Sequence, residues 1–219
     1  MPEAAYVLAF DTANEVIAMG LGRLDARERA VEPVATLEVE ARRASNTQLL
    51  PRVDALLRDA GISREQLACV CVGRGPGSFT GVRIAMATAK GIAQALGVAL
   101  VGVSSLDAVA WRAWAAGTRG ALAVVADAMR REVYPVRYTL DDAGVQRLEA
   151  DRVVKAQVAA EELAGEGDAA GADGAAAGEL SLTGDGLKKY AELFAPAGAL
   201  LPEELWAPAG TGLLLALQA

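Results

Sequence analysis

The chain of 219 residues contains no histidine. That removes imidazole general bases, Ser-His-Asp triads and histidine-bound metals from the chemistry it can do alone. Aromatic residues make up only 5%, while hydrophobic residues reach 53%, a share inflated by alanine. Small apolar side chains favour thin, closely spaced layers over a bulky aromatic core. Cysteine is confined to Cys69 and Cys71. On an extended strand that spacing puts both thiols on one face, where they do not form an ordinary disulfide, so buried reduced thiols are expected. No apolar run approaches the ~20 residues of a membrane span. The first apolar run ends at Asp11 without a signal-peptide pattern, so no membrane partner and a cytoplasmic location are expected. Basic residues number 21 against 28 acidic ones, a net charge of -7. That argues against a nucleic-acid binder working alone, since phosphate contacts need a basic face. Arg42-Arg43 and Arg130-Arg131 are the local basic candidates for a shared site, against the plainer reading of a solvated surface.

What is present is organised around residues 69–105, CVCVGRGPGSFTGVRIAMATAKGIAQALGVALVGVSS. An apolar run over 69–72 breaks into a turn holding Gly73, Gly75, Gly77 and Gly81. A helical pattern over 82–96 and a second apolar run over 98–103 complete a βαβ unit in a parallel or mixed sheet. Before it, strands at 6–10, 16–21 and 34–39 make a meander, with 23–32 as an exposed loop. A helix over 45–60 follows, with Ser45 as cap, Gln48 reaching back and Gly61 ending it. After it, a helix at 106–115, strands at 122–127, 132–138 and 145–148, and a helix at 155–163 echo the first half in layout. A strand at 180–184 and a short helix at 187–194 come next. Residues 164–178 are low in complexity and are expected to form a mobile loop or disordered insertion. The apolar ending over 212–219 suggests a chain cut from something longer. The layout gives a first lobe over 1–105 and a second over 106–219.

The glycine-rich turn is the obvious place for chemistry, because N–H groups at a helix start bind phosphate. It is neither a P-loop nor a dinucleotide fingerprint: no lysine follows Gly81, and the glycine spacing fails in both registers. Asp11 and Thr12 at the end of the first strand, with Ser78 and Thr80 in the turn, are the candidates for contact with a phosphate or its metal. The plainer alternative is that Asp11 serves a turn and the glycines allow sharp bending and close packing. Ser78, Ser104 and Ser105 have no visible activator, so no catalytic residue is assigned.

The stretch GRGPGSFTGVRIAMATAKGIAQALGVALVGVSSLDAVA resembles the TsaB (YeaZ) family, whose hallmark is a GPGSFTG(L/V)R turn, a small-residue helix and a G(I/V)SSL strand end. AFDTANEVIAMGL, LLPRVDALL, ADAMRREVYPVRY and TGDGLKKY match further, so the resemblance covers nearly the whole chain. It implies an α/β, actin-like ATPase (ribonuclease-H-like) fold of two αβ lobes with mixed sheets. It also implies a place in making threonylcarbamoyladenosine in tRNA, as a non-catalytic paralogue of the metal-bearing TsaD, joined by the ATPase TsaE. ATP and a metal then belong to the partner subunits, the chain has no cofactor of its own, and tRNA is met only through the complex. The catalytic relative holds its metal with a histidine pair, which this sequence lacks. Family members pair, as homodimers or with TsaD, through helices that map to 45–60 and 82–96. The interface candidates are Leu49, Leu50, Val53, Leu57, Arg83, Met86, Ala87 and Lys90. The alternative for the leucines is ordinary core. Departures from the family pattern are Ser45-Asn46 where a histidine is common, Met129 at a usual arginine, the 164–178 insert and the absence of a closing strand-like segment. Two other readings share parts of the pattern: a small phosphotransferase of the acetate- or sugar-kinase type using Asp11, and a glycoprotease-like peptidase, for which the chain lacks zinc-binding histidines.

Overall fold

The computed structural model describes residues 5–25, 30–41, 45–170 and 180–219. They form two compact units, Met1–Ala108 with Pro208–Ala219, and Val109–Ala207.

In the first unit β1 (Tyr6–Asp11), β2 (Val16–Asp25) and β3 (Ala30–Glu40) form the antiparallel meander. After α1 (Ser45–Asp59), β4 (Leu67–Gly73) pairs parallel to β1. Past α2 (Phe79–Leu96), β5 (Ala99–Val103) pairs parallel to β4, giving the order β3-β2-β1-β4-β5. β2 and β3 run further than their apolar pattern suggests. Cross-strand pairing carries on through 23–25 and 30–32, with Arg23 facing Glu32 as an ion pair, so much of the expected 23–32 loop is strand. The helix α1 already includes Ser45 as its first residue, so the capping position falls on residue 44, outside the described residues.

Alternation on β1 and β4 fills both faces of this sheet, as buried central strands require. Leu8, Phe10, Val70 and Val72 face α1 and α2, where Leu49, Val53, Leu57, Ala85, Ala89 and Ala93 meet them. Val7, Ala9, Cys69 and Cys71 face the other way and pack with Ala108, Leu213 and Leu214. Both cysteines are free and buried on that one face, as their spacing predicts.

The helix α3 (Ser105–Ala115) begins in the first unit and leads to the second. There β6 (Gly120–Asp127), β7 (Glu132–Asp141) and β8 (Gly144–Arg147) form another meander, with β9 (Val154–Lys155) on β7. After α4 (Ala156–Ala170), β10 (Ser181–Thr183) pairs parallel to β6. Past α5 (Leu187–Phe194), β11 (Ala199–Leu200) pairs parallel to β10. The order β8-β7-β6-β10-β11 repeats that of the first sheet, strand for strand and direction for direction. Two such mixed sheets make this an α/β protein of the actin-like, ribonuclease-H-like type. Part of the expected 164–178 insertion is helix, because α4 continues to Ala170 despite Gly165 and Gly167. The remainder of that insertion lies outside the described residues, as do Arg42 and Arg43.

The chain's last helix, α6 (Gly210–Leu217), groups with the first unit rather than with the lobe that precedes it in sequence. Leu213 and Leu214 are fully buried against the first sheet. Burying such a leucine contributes roughly 1.5–3 kcal/mol, which explains why the ending is apolar. The approach is close: a Cβ on Gly210 would lie 1.8 Å from the Met19 carbonyl oxygen. Glu38 Oε1 accepts the Gly210 N–H at 2.9 Å.

Candidate functional site

The carboxyl ends of β1 and β4, the glycine-rich turn and the start of α3 converge on Asp11. The Ser105 hydroxyl donates to Asp11 Oδ2, and the Ala13 N–H donates to Oδ1. Gly75 N–H donates to Ser105 Oγ at 3.1 Å, and Ser105 N–H returns a bond to the Gly75 carbonyl at 2.9 Å. On the other side, the Ser78 N–H donates to the Ala13 carbonyl, and Thr12 Oγ1 donates to the Gly81 carbonyl at 2.7 Å. Asp11 and Ser105 are 0% and 1% exposed. Burial pushes the Asp11 carboxyl up from its ordinary range, against the lowering effect of the Ser105 and Ala13 hydrogen bonds.

The glycines allow this closure by sheer proximity. A Cβ on Gly73 would lie 1.8 Å from Asp11 Oδ2, and one on Gly81 1.9 Å from the Thr12 carbonyl oxygen. The turn therefore packs down on the β1–β2 connection. Ser78 caps α2, its Oγ accepting the Gly81 N–H at 3.3 Å, and Thr80 lies exposed in the first helical turn. The four candidates are thus brought near one another, with Asp11 and Thr12 buried and already bonded. Such an arrangement does not fit a metal-bound phosphate: both Asp11 oxygens have donors, and turn N–H groups that would cradle an anion at Gly75 and Ser78 bond to protein. Among the described residues no three His, Cys, Asp or Glu side chains gather where they could hold a metal ion. Ser105, set aside in the sequence for want of an activator, is the residue whose partnership with Asp11 sequence reasoning did not foresee. Its signal was its place at the carboxyl end of a strand that must lie beside β4, next but one to Asp11.

The second unit repeats the motif with different partners. Asp127 ends β6 as Asp11 ends β1, and its Oδ1 accepts the N–H two residues on, at Met129, at 3.2 Å. Here the acid is mostly covered, and Lys189 Nζ donates to Oδ2. Asp185 Oδ1 accepts the Asp127 N–H at 3.0 Å. Burial, with the Asp127 charge adding to it, pushes the Asp185 carboxyl up to about 6 against the Asp127 N–H, Lys188 and Lys189.

The interface candidates divide sharply. Leu49, Val53 and Leu57 are buried in the core of the first unit, so they are corrected here from partner surface to core. Their four-residue spacing puts all three on the stripe of α1 that meets the sheet. Leu50 is 53% exposed on the opposite side. On α2, Arg83, Ala87 and Lys90 are exposed and Met86 is half-buried against the core. Arg83 lies over the ring of Phe79, 5.2 Å from its centre, and Phe79 itself is exposed. No described helix is long and apolar enough to cross a membrane.

The family model described as TsaD, tRNA N6-adenosine threonylcarbamoyltransferase, matches residues 38–202, well over half of the chain. An uncharacterised protein of Mycobacterium tuberculosis is 43% identical over 60% of this chain and 58% of its own length. The tRNA threonylcarbamoyladenosine biosynthesis protein TsaB of Escherichia coli is 31% identical over 72% of this chain and 65% of its own length. The chain thus spans less than two thirds of the length of these relatives. Among solved structures, YeaZ from Pseudomonas aeruginosa superposes with a TM-score of 0.77 at 26% identity, covering 97% of this chain and 90% of that one. With the doubled sheet order, the sealed glycine turn and these likenesses together, the chain belongs to the TsaD family, on its TsaB (YeaZ) branch.

Proposed function

We propose that this chain is a non-catalytic scaffold subunit in the synthesis of threonylcarbamoyladenosine in tRNA, pairing with and activating a catalytic TsaD subunit together with the ATPase TsaE. The observation that carries the reading is the state of Asp11. The acid at the strand end is fully buried, with a hydrogen-bond donor on each oxygen. An enzyme of this architecture that handled a metal-bound phosphate would need that carboxylate open. The absence of histidine from the sequence supports the same conclusion. ATP and the metal are then held by the partner subunits, in the cytoplasm, and the tRNA is engaged by the assembly. A phosphotransferase using Asp11 is disfavoured for the same reason. A peptidase would need a nucleophile that substrate can reach, whereas Ser105, although bonded to Asp11, is buried.

The pairing surface in this reading is the exposed side of α1 and α2, with Leu50, Arg83, Ala87 and Lys90, and Met86 at its margin. The small side chains of α2 suit close helix approach. The test is size-exclusion chromatography with light scattering on this chain and the TsaD subunit of the same organism. A heterodimer is expected, lost in Ala87→Glu, which would bury an unpaired charge. A folded chain that fails to associate, or a complex that modifies tRNA equally well without it, sinks the proposal.

A further inference from the structure

We propose that the carboxyl ends of β6 and β10 carry a docking surface for the phosphate backbone of RNA, formed by Arg130, Arg131, Lys188 and Lys189. This rests on the tRNA-modification reading above and adds to it a place where this subunit itself meets the nucleic acid.

Exposed cations without an ion pair among the described residues occur elsewhere, as at Arg52, Arg74, Arg83 and Lys90, and what marks this surface is that the fold gathers three such cations beside Lys189. Across the described residues many exposed cations are matched to a carboxylate: Arg23 to Glu32, Arg119 to Asp142, Arg152 to Glu162, and Lys155 to Glu132. Arg130, Arg131 and Lys188 are exposed and take part in no ion pair among the described residues. Folding brings them to one place from distant parts of the sequence. Lys189 reaches Asp127 at the base of the β6–β7 hairpin and comes within 4.0 Å of Met129 Sδ, so the first turn of α5 is tied to the hairpin tip. The Asp185 carboxylate oxygen on the Asp127 N–H fixes the same junction from below.

The local charge is positive although the chain carries -7 overall. Asp127 is only 12% exposed and bonded to Lys189. Asp185 is half-buried beneath the junction, and even with its charge and that of Asp127 counted, the four cations leave the site net positive. Glu132, next to the tip, is paired with Lys155, and Glu192 lies further along α5. The cations are therefore outermost. The tip also has a fixed shape: Met129, Arg130 and Arg131 have φ of 65°, 51° and 63°. Left-handed backbone costs roughly 1–2 kcal/mol per ordinary residue, and a glycine or asparagine would relieve it. Here the Asp127 and Met129 bonds hold the turn closed, so both guanidinium groups leave from a set backbone. Arginine favours phosphate because its planar fork donates two parallel hydrogen bonds.

The experiment is fluorescence anisotropy of labelled unmodified tRNA with the full chain, alone and mixed with its TsaD partner, across a salt series. Arg130→Glu/Arg131→Glu is expected to weaken tRNA binding about tenfold or more at low salt and to reduce the slope of log K against log salt by about 2. Lys188→Glu, on right-handed helical backbone, should move affinity the same way and so guards against a loop that merely refolds. Arg23→Glu/Arg64→Glu changes net charge equally and should leave the affinity unchanged. Equal loss in that control, or no loss in the hairpin double variant, overturns the proposal. So does wild-type binding to anionic phosphatidylserine vesicles without binding to tRNA. Assembly with TsaD, read separately by light scattering, distinguishes the two claims: an intact complex with unchanged tRNA affinity defeats the docking surface and leaves the scaffold reading standing.

Discussion

The Ser105 hydroxyl donates to Asp11 Oδ2 across 94 positions of sequence, joining the start of α3 to the end of β1 inside the first unit. Between them lies Gly73, whose missing side chain is the space Asp11 occupies. An open acid at a strand end beside a helix start could meet a metal-bound phosphate. Here it is the centre of a closed hydrogen-bonded joint, and the glycine turn is the lid fixed over it.

Two glycine substitutions should therefore behave oppositely. Gly73→Ala places a methyl against the buried Asp11 carboxylate, which has no open space to move into. Overpacking of a rigid site costs about 1–3 kcal/mol and more when nothing can yield, so a loss of about 3 kcal/mol or greater is expected. Gly91 lies in the middle of α2, and nothing stands within 4 Å of the place an added Cβ would take. Gly91→Ala should raise stability by about 0.5–1 kcal/mol through helix propensity. Urea denaturation of the two variants checks both signs, and equal effects would refute the account of the turn.

The unbroken apolar runs over 6–10 and 69–72 made the first sheet legible, and the second meander after Ser105 carried the hint of a repeated layout. The pairing of Asp127 with Lys189 was not legible, because the two lie 62 positions apart and meet only once β10 pairs with β6. On α1 the leucines show the limit of periodicity: it identifies Leu49, Val53 and Leu57 as one stripe but does not say whether core or partner covers them. The place of α6 was hidden for a related reason. An apolar ending announces burial, while only the close approach of Gly210 to Met19 reveals against which sheet.

Asp185 should leave a mark on the pH dependence of stability. An unfolded aspartate loses its proton near 4, whereas the folded Asp185 holds it to about 6. Between those values the folded state binds more protons, so stability falls as pH rises through the window and levels above it. Asp185→Asn keeps an oxygen for the Asp127 N–H and removes the charge. It should flatten the fall and raise stability at pH 8 by about 1–2 kcal/mol, below the ~2.7 kcal/mol of a full two-unit shift because the site is partly solvated. Thermal melts of both proteins at pH 4, 6 and 8 check this. A variant less stable than the parent at pH 8 would contradict it.

The thiols offer a probe of the same fold from inside the first unit. Burial, with the charges of Cys69 and Asp11 adding to it, pushes the Cys71 thiol up to about 12. Thiolate is the reactive form, so a disulfide reagent at pH 8 should leave Cys71 unmodified in the folded chain and label it at the rate of unfolding. Rapid labelling without denaturant would show that the β4 face opens far more readily than its packing against α6 suggests.

Leu49 and Leu50 are adjacent on α1 and point to opposite fates, 1% and 53% exposed. Leu49→Ala deletes core atoms packed against the sheet and should cost about 2–5 kcal/mol of stability, while the variant that remains folded keeps its affinity for a partner. Leu50→Glu puts a charge on the surface of the same helix. It should change the melting temperature little, since exposed substitutions lie within about 0.5 kcal/mol, and should weaken pairing at least tenfold if α1 and α2 form the docking face. The two measurements, calorimetry on the isolated chain and light scattering on the mixture with TsaD, separate folding from association. A Leu50→Glu chain that pairs as tightly as the parent would move the interface off α1 altogether, leaving Arg83, Ala87 and Lys90 on α2 to account for it.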